Sequence, residues 1–199
     1  MTLTTDKPDP NQLSYRIPTE KDYPLLVQFR RECGWGIPKL ESKWKDPNWV
    51  YCVFELPTGE GVDDVGMACW VLEDEDPDTA SRVTNTVYLG SLFIREKYQG
   101  TGLGTKAMDL LENAAVEQYH AKWITLDTTA YRSEVALHGR EASEDPTRPG
   151  KSVAWYKARG YAQYKENRPT FPVALPGKPD HLLTAMFLRK PASLVPGDK

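Results

Sequence analysis

At 199 residues, with 40% hydrophobic and 27% charged side chains and a formal net charge of -3, the chain is sized for one compact domain. It lacks the concentrated basic surface that a nucleic-acid binder requires. No apolar run reaches the length that spans a bilayer, and the first dozen residues, MTLTTDKPDPNQ, carry neither the basic nor the apolar region of a secretory signal. A cytoplasmic protein with no membrane or nucleic-acid partner is expected. Cys33, Cys52 and Cys69 form no CxxC pair, and Cys52 and Cys69 sit in apolar runs, so reduced core thiols are predicted. His120, His138 and His181 lack metal-ligand spacing, and no metal site is proposed.

In chain order, residues 13–17 read as a short strand. Thr19 then N-caps a helix with Asp22 three residues on, ahead of Tyr23, Leu25, Leu26, Phe29 and Cys33. A second helix is predicted over 38–45. Apolar runs at 50–56 and 65–72 flank the turn Thr58, Gly59, Glu60, Gly61 and form an antiparallel hairpin. Further strands are predicted at 86–94, 123–129, 161–165 and 182–188, with helices beginning at Leu103 and around Tyr156. The order is βααβββαβαββ. Residues 131–151 are hydrophilic and read as a surface loop with a short helix, serving as a substrate lid or dimer contact in its functional reading. Both chain ends read as loose tails around a core of residues 13–189.

The most informative stretch is residues 89–105, LGSLFIREKYQGTGLGT, an apolar strand followed by a glycine-spaced turn that opens an amphipathic helix. Gly100, Gly102 and Gly104 permit positive φ and bring successive N–H groups close to an anion. The helix adds its own unpaired donors and the positive end of its dipole. Ala107, Leu110, Leu111 and Ala114 recur at helical spacing, while Lys106, Asp109, Glu112, Asn113 and Glu117 fall mainly on the other faces. Counted from Gly100, Thr105 stands where a Walker A loop needs its second glycine and Ala107 where it needs a hydroxyl. Thr105 also breaks the dinucleotide-binding fingerprint.

The pattern that fits is Gln/Arg-x-x-Gly-x-Gly/Ala, here Gln99, Gly100, Thr101, Gly102, Leu103 and Gly104, directly after Leu92, Phe93 and Ile94. This resembles the acyl-CoA-binding motif of the GNAT superfamily of N-acyltransferases. A second match, Ala154 to Tyr161 (AWYKARGY), resembles the family's short helix with a Tyr, closed by Gly and an aromatic. The resemblance covers residues 13–189 and implies one α/β (α+β) domain over residues 1–199, with a mixed, mostly antiparallel central sheet of about seven strands flanked by helices. The family usually joins the fifth strand to the Tyr helix with a few residues, so 131–151 departs from it. Pro149 also replaces the family's frequent Asn seven residues before the Tyr.

The resemblance further implies N-acetyl transfer from acetyl-CoA to the primary amine of a small molecule by direct attack. A protein lysine or N-terminal acceptor, or a non-catalytic acyl-CoA sensor, are the alternatives. Leu92, Phe93 and Ile94 would bond the pantetheine through main-chain groups where the fourth and fifth strands splay. Gln99, Gly100, Thr101, Gly102, Leu103, Gly104 and Thr105 would enclose the diphosphate, and Tyr156 would protonate the departing thiolate. A fourth-strand carboxylate found in several members is replaced by Tyr88, leaving Asp127, His181 or a water relay as base. Residues 35–44 and 168–181 would line the acceptor side. The acidic turn Glu73, Asp74, Glu75, Asp76, Pro77, Asp78 would attract a cationic amine or simply be solvated. A monomer or homodimer is expected.

Overall fold

The computed structural model describes residues 8–135, 142–173 and 181–193. They form a mixed α+β fold with a large, mostly antiparallel sheet flanked by helices. Two compact units are distinguished, one drawn from Met1–Ile124 and Ala192–Lys199, the other from Thr125–Pro191.

The first unit begins with strand β1 (Ser14–Arg16), a 3-10 turn (Glu20–Asp22), and helices α1 (Tyr23–Glu32) and α2 (Ile37–Lys43). The expected cap is present one turn early: the Asp22 carboxylate accepts from both the N–H (2.7 Å) and the hydroxyl (2.9 Å) of Thr19, closing the 3-10 turn that leads into α1. Strands β2 (Trp49–Thr58), β3 (Gly61–Val71) and β4 (Thr86–Ile94) follow. β1, β2, β3 and β4 pair antiparallel in that order.

The hairpin is apolar on both faces because both are covered. Trp49, Tyr51 and Val53 of β2 and Met67, Cys69 and Val71 of β3 pack with Leu26 and Phe29 of α1 and Leu40 of α2. The alternating set, including Cys52, Phe54, Ala68 and Trp70, is buried too. On that face the Trp70 indole N–H donates to the Leu111 carbonyl of helix α3 (Leu103–Glu117) at 3.0 Å. Full burial of side chains this large stabilises by about 1.5–3 kcal/mol each. The docked stripe of α3 is Leu103, Ala107, Met108, Leu111, Ala114 and Ala115, and it includes Glu112, which is 0% exposed. The expectation that Glu112 lies on an outer face is corrected. Three alanines let α3 approach closely, so the covered strip is wider than the apolar pattern implies.

Strands β3 and β4 meet unusually closely. A Cβ added to Gly66 would lie 2.1 Å from the Phe93 carbonyl oxygen. Pairing also slips here: Met67 faces Phe93 while Cys69 faces Gly90, so β4 holds one extra residue around Ser91 and Leu92.

In the second unit β5 (Trp123–Thr129), which starts at the end of the first, leads to β6 (Tyr131–Val135) and β7 (Ala142–Pro149). The predicted loop with a short helix is therefore an antiparallel ribbon. A hydrophilic segment this long has many main-chain donors and acceptors, and pairing with itself satisfies them without an apolar face. Its base is fixed by Gly150, whose N–H donates to Ala130 O and whose added Cβ would fall 1.9 Å from Thr129 O. The Glu144 carboxylate accepts from the N–H (2.8 Å) and hydroxyl (2.7 Å) of Thr184. His138 lies outside the described residues.

Helix α4 (Val153–Ala158) then precedes β8 (Ala162–Gln163), β9 (Arg168–Val173) and β10 (His181–Pro191). β10 pairs antiparallel with β8 and with β9. The Pro-bearing stretch after 168, to which no strand was assigned from sequence, begins as the strand β9, which among the described residues pairs with β10, as proline at a sheet edge permits. Residues 174–180 lie outside the described part. The strand expected from Tyr161 is shortened to Ala162–Gln163, because Tyr161 is still held by the helix end through its N–H to Tyr156 O at 3.1 Å.

Replacing Gly66 with Ala is expected to lower unfolding free energy by at least about 3 kcal/mol in urea titration, because a main-chain carbonyl occupies the place of the new methyl.

Candidate active site

The turn from β4 to α3 lies within the first unit. Gly100 (φ 73°) and Gly102 (φ 94°) are both left-handed, the conformation in which a Cβ is strained. Gly104 is already helical, and a Cβ at Gly100 or Gly104 would meet nothing within 4 Å. Among the described residues, no acceptor bonds the main-chain N–H of Gly100, Thr101, Gly102, Leu103 or Gly104, whereas those of Thr105 and Lys106 donate to Gly102 O. Pro10 lies against the middle of the turn, its Cγ 3.2 Å from a Cβ placed on Gly102, and the space is open at Gly100 and Gly104 on either side. Five successive donors at the N-terminus of a 15-residue helix suit an anion such as a diphosphate.

The turn is braced by side chains rather than by packing. Gln99 Nε2 donates to Ile94 O (2.8 Å), and the Thr101 hydroxyl donates to Tyr98 O (2.6 Å). The Tyr98 hydroxyl donates in turn to Asp63, which also pairs with Lys97 at 3.2 Å. These contacts, Tyr98 foremost, hold the Asp63 carboxyl below its ordinary range. Gln99 therefore bonds the Ile94 carbonyl through its side chain, while its neighbours present main-chain groups. Arg95 fixes the exit of β4 by pairing with Glu32 and donating to Asp64 O at 3.1 Å.

Upstream, Ser91 adopts φ 55°, left-handed for a residue other than glycine, at the bulge of β4. Such a conformation costs about 1–3 kcal/mol and is kept only where the surroundings enforce it. The bulge re-aims the main chain of Leu92, Phe93 and Ile94. Phe93 packs against Phe29 and Trp35, with ring centroids 6.0 and 6.4 Å apart. Sequence reasoning did not single out Ser91. The available signal was Gly90, a glycine inside a strand pattern, which often marks a bulge.

Behind the bulge, Arg30 is only 6% exposed. Its Nε and Nη2 donate to Gly36 O (3.1 and 2.6 Å), its Nη1 reaches the Ser91 hydroxyl at 3.4 Å, and its guanidinium lies 5.3 Å from the Trp35 ring centre. Tyr88, on β4, is half-buried, and its ring lies against Gly90.

Tyr156 belongs to the second unit. It sits in α4 with its ring 4.8 Å from that of Trp155 and 5.8 Å from that of Tyr161. Gly160 (φ 88°) ends the helix, its N–H donating to Lys157 O. Asp127 is half-buried on β5, and His181 opens β10. The acidic turn is tied to its own main chain: Asp74 accepts from Asp76 N–H, Asp76 from Asp78 N–H, and Glu73 from Arg82 N–H. A separate cavity of about 400 Å³ is walled by Trp44, Trp49 and Tyr51, but the Lys39 and Lys43 ammonium groups already lie 5.2 and 5.6 Å from the Trp49 ring centre.

The chain belongs to the acetyltransferase (GNAT) family, whose sequence model matches residues 22–139. It is thus an acyltransferase that uses acetyl-CoA. Among solved structures, the spermidine N-acetyltransferase from Vibrio cholerae in complex with CoA and spermine is similar, with a TM-score of 0.64 over 92% of this chain and 98% of that one, at 12% identity. The spermidine/spermine N-acetyltransferase from the same organism, in complex with manganese ions, gives 0.61 over 92% and 94% at 11% identity. A dodecameric spermidine N-acetyltransferase from Vibrio cholerae in an intermediate state also gives 0.61, over 92% and 95% at 11% identity. At such identities the likeness establishes the fold. No curated protein matches the chain in sequence. Among the described residues, no helix is long and apolar enough to cross a membrane, and no group of three or more His, Cys, Asp and Glu is arranged to hold a metal ion.

Burial raises the thiols of Cys33 and Cys69 to about 11 and pushes that of Cys52 well up. At pH 8 a thiol of pKa about 11 is roughly one part in a thousand thiolate, and only the thiolate reacts. A thiol reagent should therefore label the native protein slowly, with a rate rising toward pH 11, and should count all three cysteines at once in denaturant.

Proposed function

We propose that the chain, acting as one transferase domain, transfers the acetyl group of acetyl-CoA to the primary amine of a small molecule by direct attack. The observation that carries this is the set of N–H groups from Gly100 to Gly104 that have no acceptor among the described residues, with open space beside Gly100 and Gly104. In this reading these groups enclose the diphosphate, flanked by Gln99 and Thr105, whose own N–H groups are held by Glu96 O and Gly102 O, and the main chain of Leu92, Phe93 and Ile94 bonds the pantetheine amides as an added strand would. The small-amine acceptor is supported by the three structures of spermidine or spermidine/spermine N-acetyltransferase from Vibrio cholerae that share the fold.

The cosubstrate supplies an acyl group activated as a thioester. An alkylamine has a reference pKa of about 10.4, so its proton must leave before the nitrogen attacks. Asp127, His181 or a chain of water takes it. A β4 N–H stabilises the charge that develops on the carbonyl oxygen. As the C–N bond forms and the C–S bond breaks, the Tyr156 hydroxyl gives its proton to the sulfur.

Gly102→Asp places a charged side chain at a left-handed residue among the donors and should weaken acetyl-CoA binding by roughly 100-fold or more in calorimetry. Unchanged affinity in a folded variant would refute the diphosphate placement. Tyr156→Phe should lower kcat by roughly 100-fold while acetyl-CoA affinity stays within about twofold, as expected for loss of a proton donor. Amine-dependent release of CoA thiol from wild type tests the activity itself; tight binding without release from any amine would favour a sensor, and release only with peptides a protein acceptor.

A further inference from the structure

The buried guanidinium of Arg30 has less compensation than its burial requires. Among the described residues no carboxylate pairs with it; it bonds the Gly36 carbonyl and, at 3.4 Å, the Ser91 hydroxyl. Burying a cation without a counter-charge is unfavourable by several kcal/mol, and proteins normally supply an anion or a full set of acceptors. Glu32, two residues on in the same helix, is engaged with Arg95. Arg30 thus meets the bulge of β4 immediately before Leu92, and Trp35, 37% exposed, covers its guanidinium.

We propose that Arg30, with the Ser91 hydroxyl, is the subsite for an anionic group on the acceptor, so that the acceptor is a small amine carrying a carboxylate, as an amino acid does. This rests on the reading of Leu92, Phe93 and Ile94 as the strand along which the thioester lies. Nε and Nη2 share the Gly36 carbonyl, so Nη1 is the guanidinium donor directed at Ser91, and a carboxylate there would accept one charge-assisted bond from Nη1 and a second from the Ser91 hydroxyl. The amine of the same molecule, a few bonds away, is then held beside the re-aimed main chain of β4. A polycation without a carboxylate would instead meet Arg30 as a like charge.

The test compares matched acceptors in CoA-thiol release with the full chain and acetyl-CoA: phenylalanine with phenethylamine, lysine with cadaverine, and arginine with agmatine. In at least one pair the carboxylated member should show about tenfold or higher kcat/KM. Arg30→Gln should collapse that ratio mainly through KM, and Arg30→Lys should restore part of it. Preference for the decarboxylated member in every pair overturns the proposal while leaving amine acetylation intact. An equal loss for both members in Arg30→Gln also overturns it, since a loop clamp alone would act that way. Should that variant fail to fold, the wild-type ratios decide. Release from none of the six amines, despite acetyl-CoA binding, defeats the small-amine reading and this proposal together.

Discussion

Unpaired main-chain donors at the β4 to α3 turn are the constraint around which the first unit is organised. Leaving five N–H groups without acceptors in a folded protein is tolerable only where solvent or an anion meets them. Two left-handed glycines shape the turn, and neither can be fixed by its own side chain. Rigidity is therefore imported. Asp63 on β3 holds Tyr98, Tyr98 holds Thr101, and Gln99 ties back to the last residue of β4. The helix that begins there is held to the sheet by the Trp70 bond to Leu111 O and by an alanine-rich face. The entropy of ordering the donors is met during folding, so an anion binding them finds the geometry ready.

Close approach of β3 to β4 is the second constraint. Gly66 admits the Phe93 carbonyl where any side chain would collide, and the extra residue at Ser91 absorbs the mismatch in register. The Ser91 hydroxyl is met from α1 by the Arg30 Nη1 at 3.4 Å. Backbone geometry and electrostatics thus coincide at one point of the sheet. A chain that needed only a stable strand would have no use for a bulge, a left-handed serine and a buried guanidinium together.

Local patterning made much of this legible. The glycine spacing from Gly100 to Gly104, the apolar strand before it and the Tyr-bearing helix closed by Gly160 are each contained within a few residues, and the family they resembled is the family to which the chain belongs. Thr19 with Asp22, and the turn between β2 and β3, were likewise readable from short-range hydrogen bonding and hairpin chemistry. The ribbon of β6 and β7 was not, because its strands lack an apolar alternation and pair only with each other. Nor was β9, since its prolines argue for a loop unless an edge position is known in advance. Glu112 misled for a related reason: a charged residue reads as exposed until the closeness of the docked helix is seen.

By itself, the order of residues determined the strand, turn and helix that define the family, because glycine conformation, capping and hydrophobic periodicity act over a handful of positions. Tertiary structure alone decided that Ser91 is left-handed, that Gly66 must be glycine, and that Arg30 is buried with no carboxylate partner among the described residues. Those properties arise from contacts between residues as far apart as Arg30 and Ser91, 61 positions along the chain. Burial and charge compensation are sums over neighbours that only the folded chain brings together.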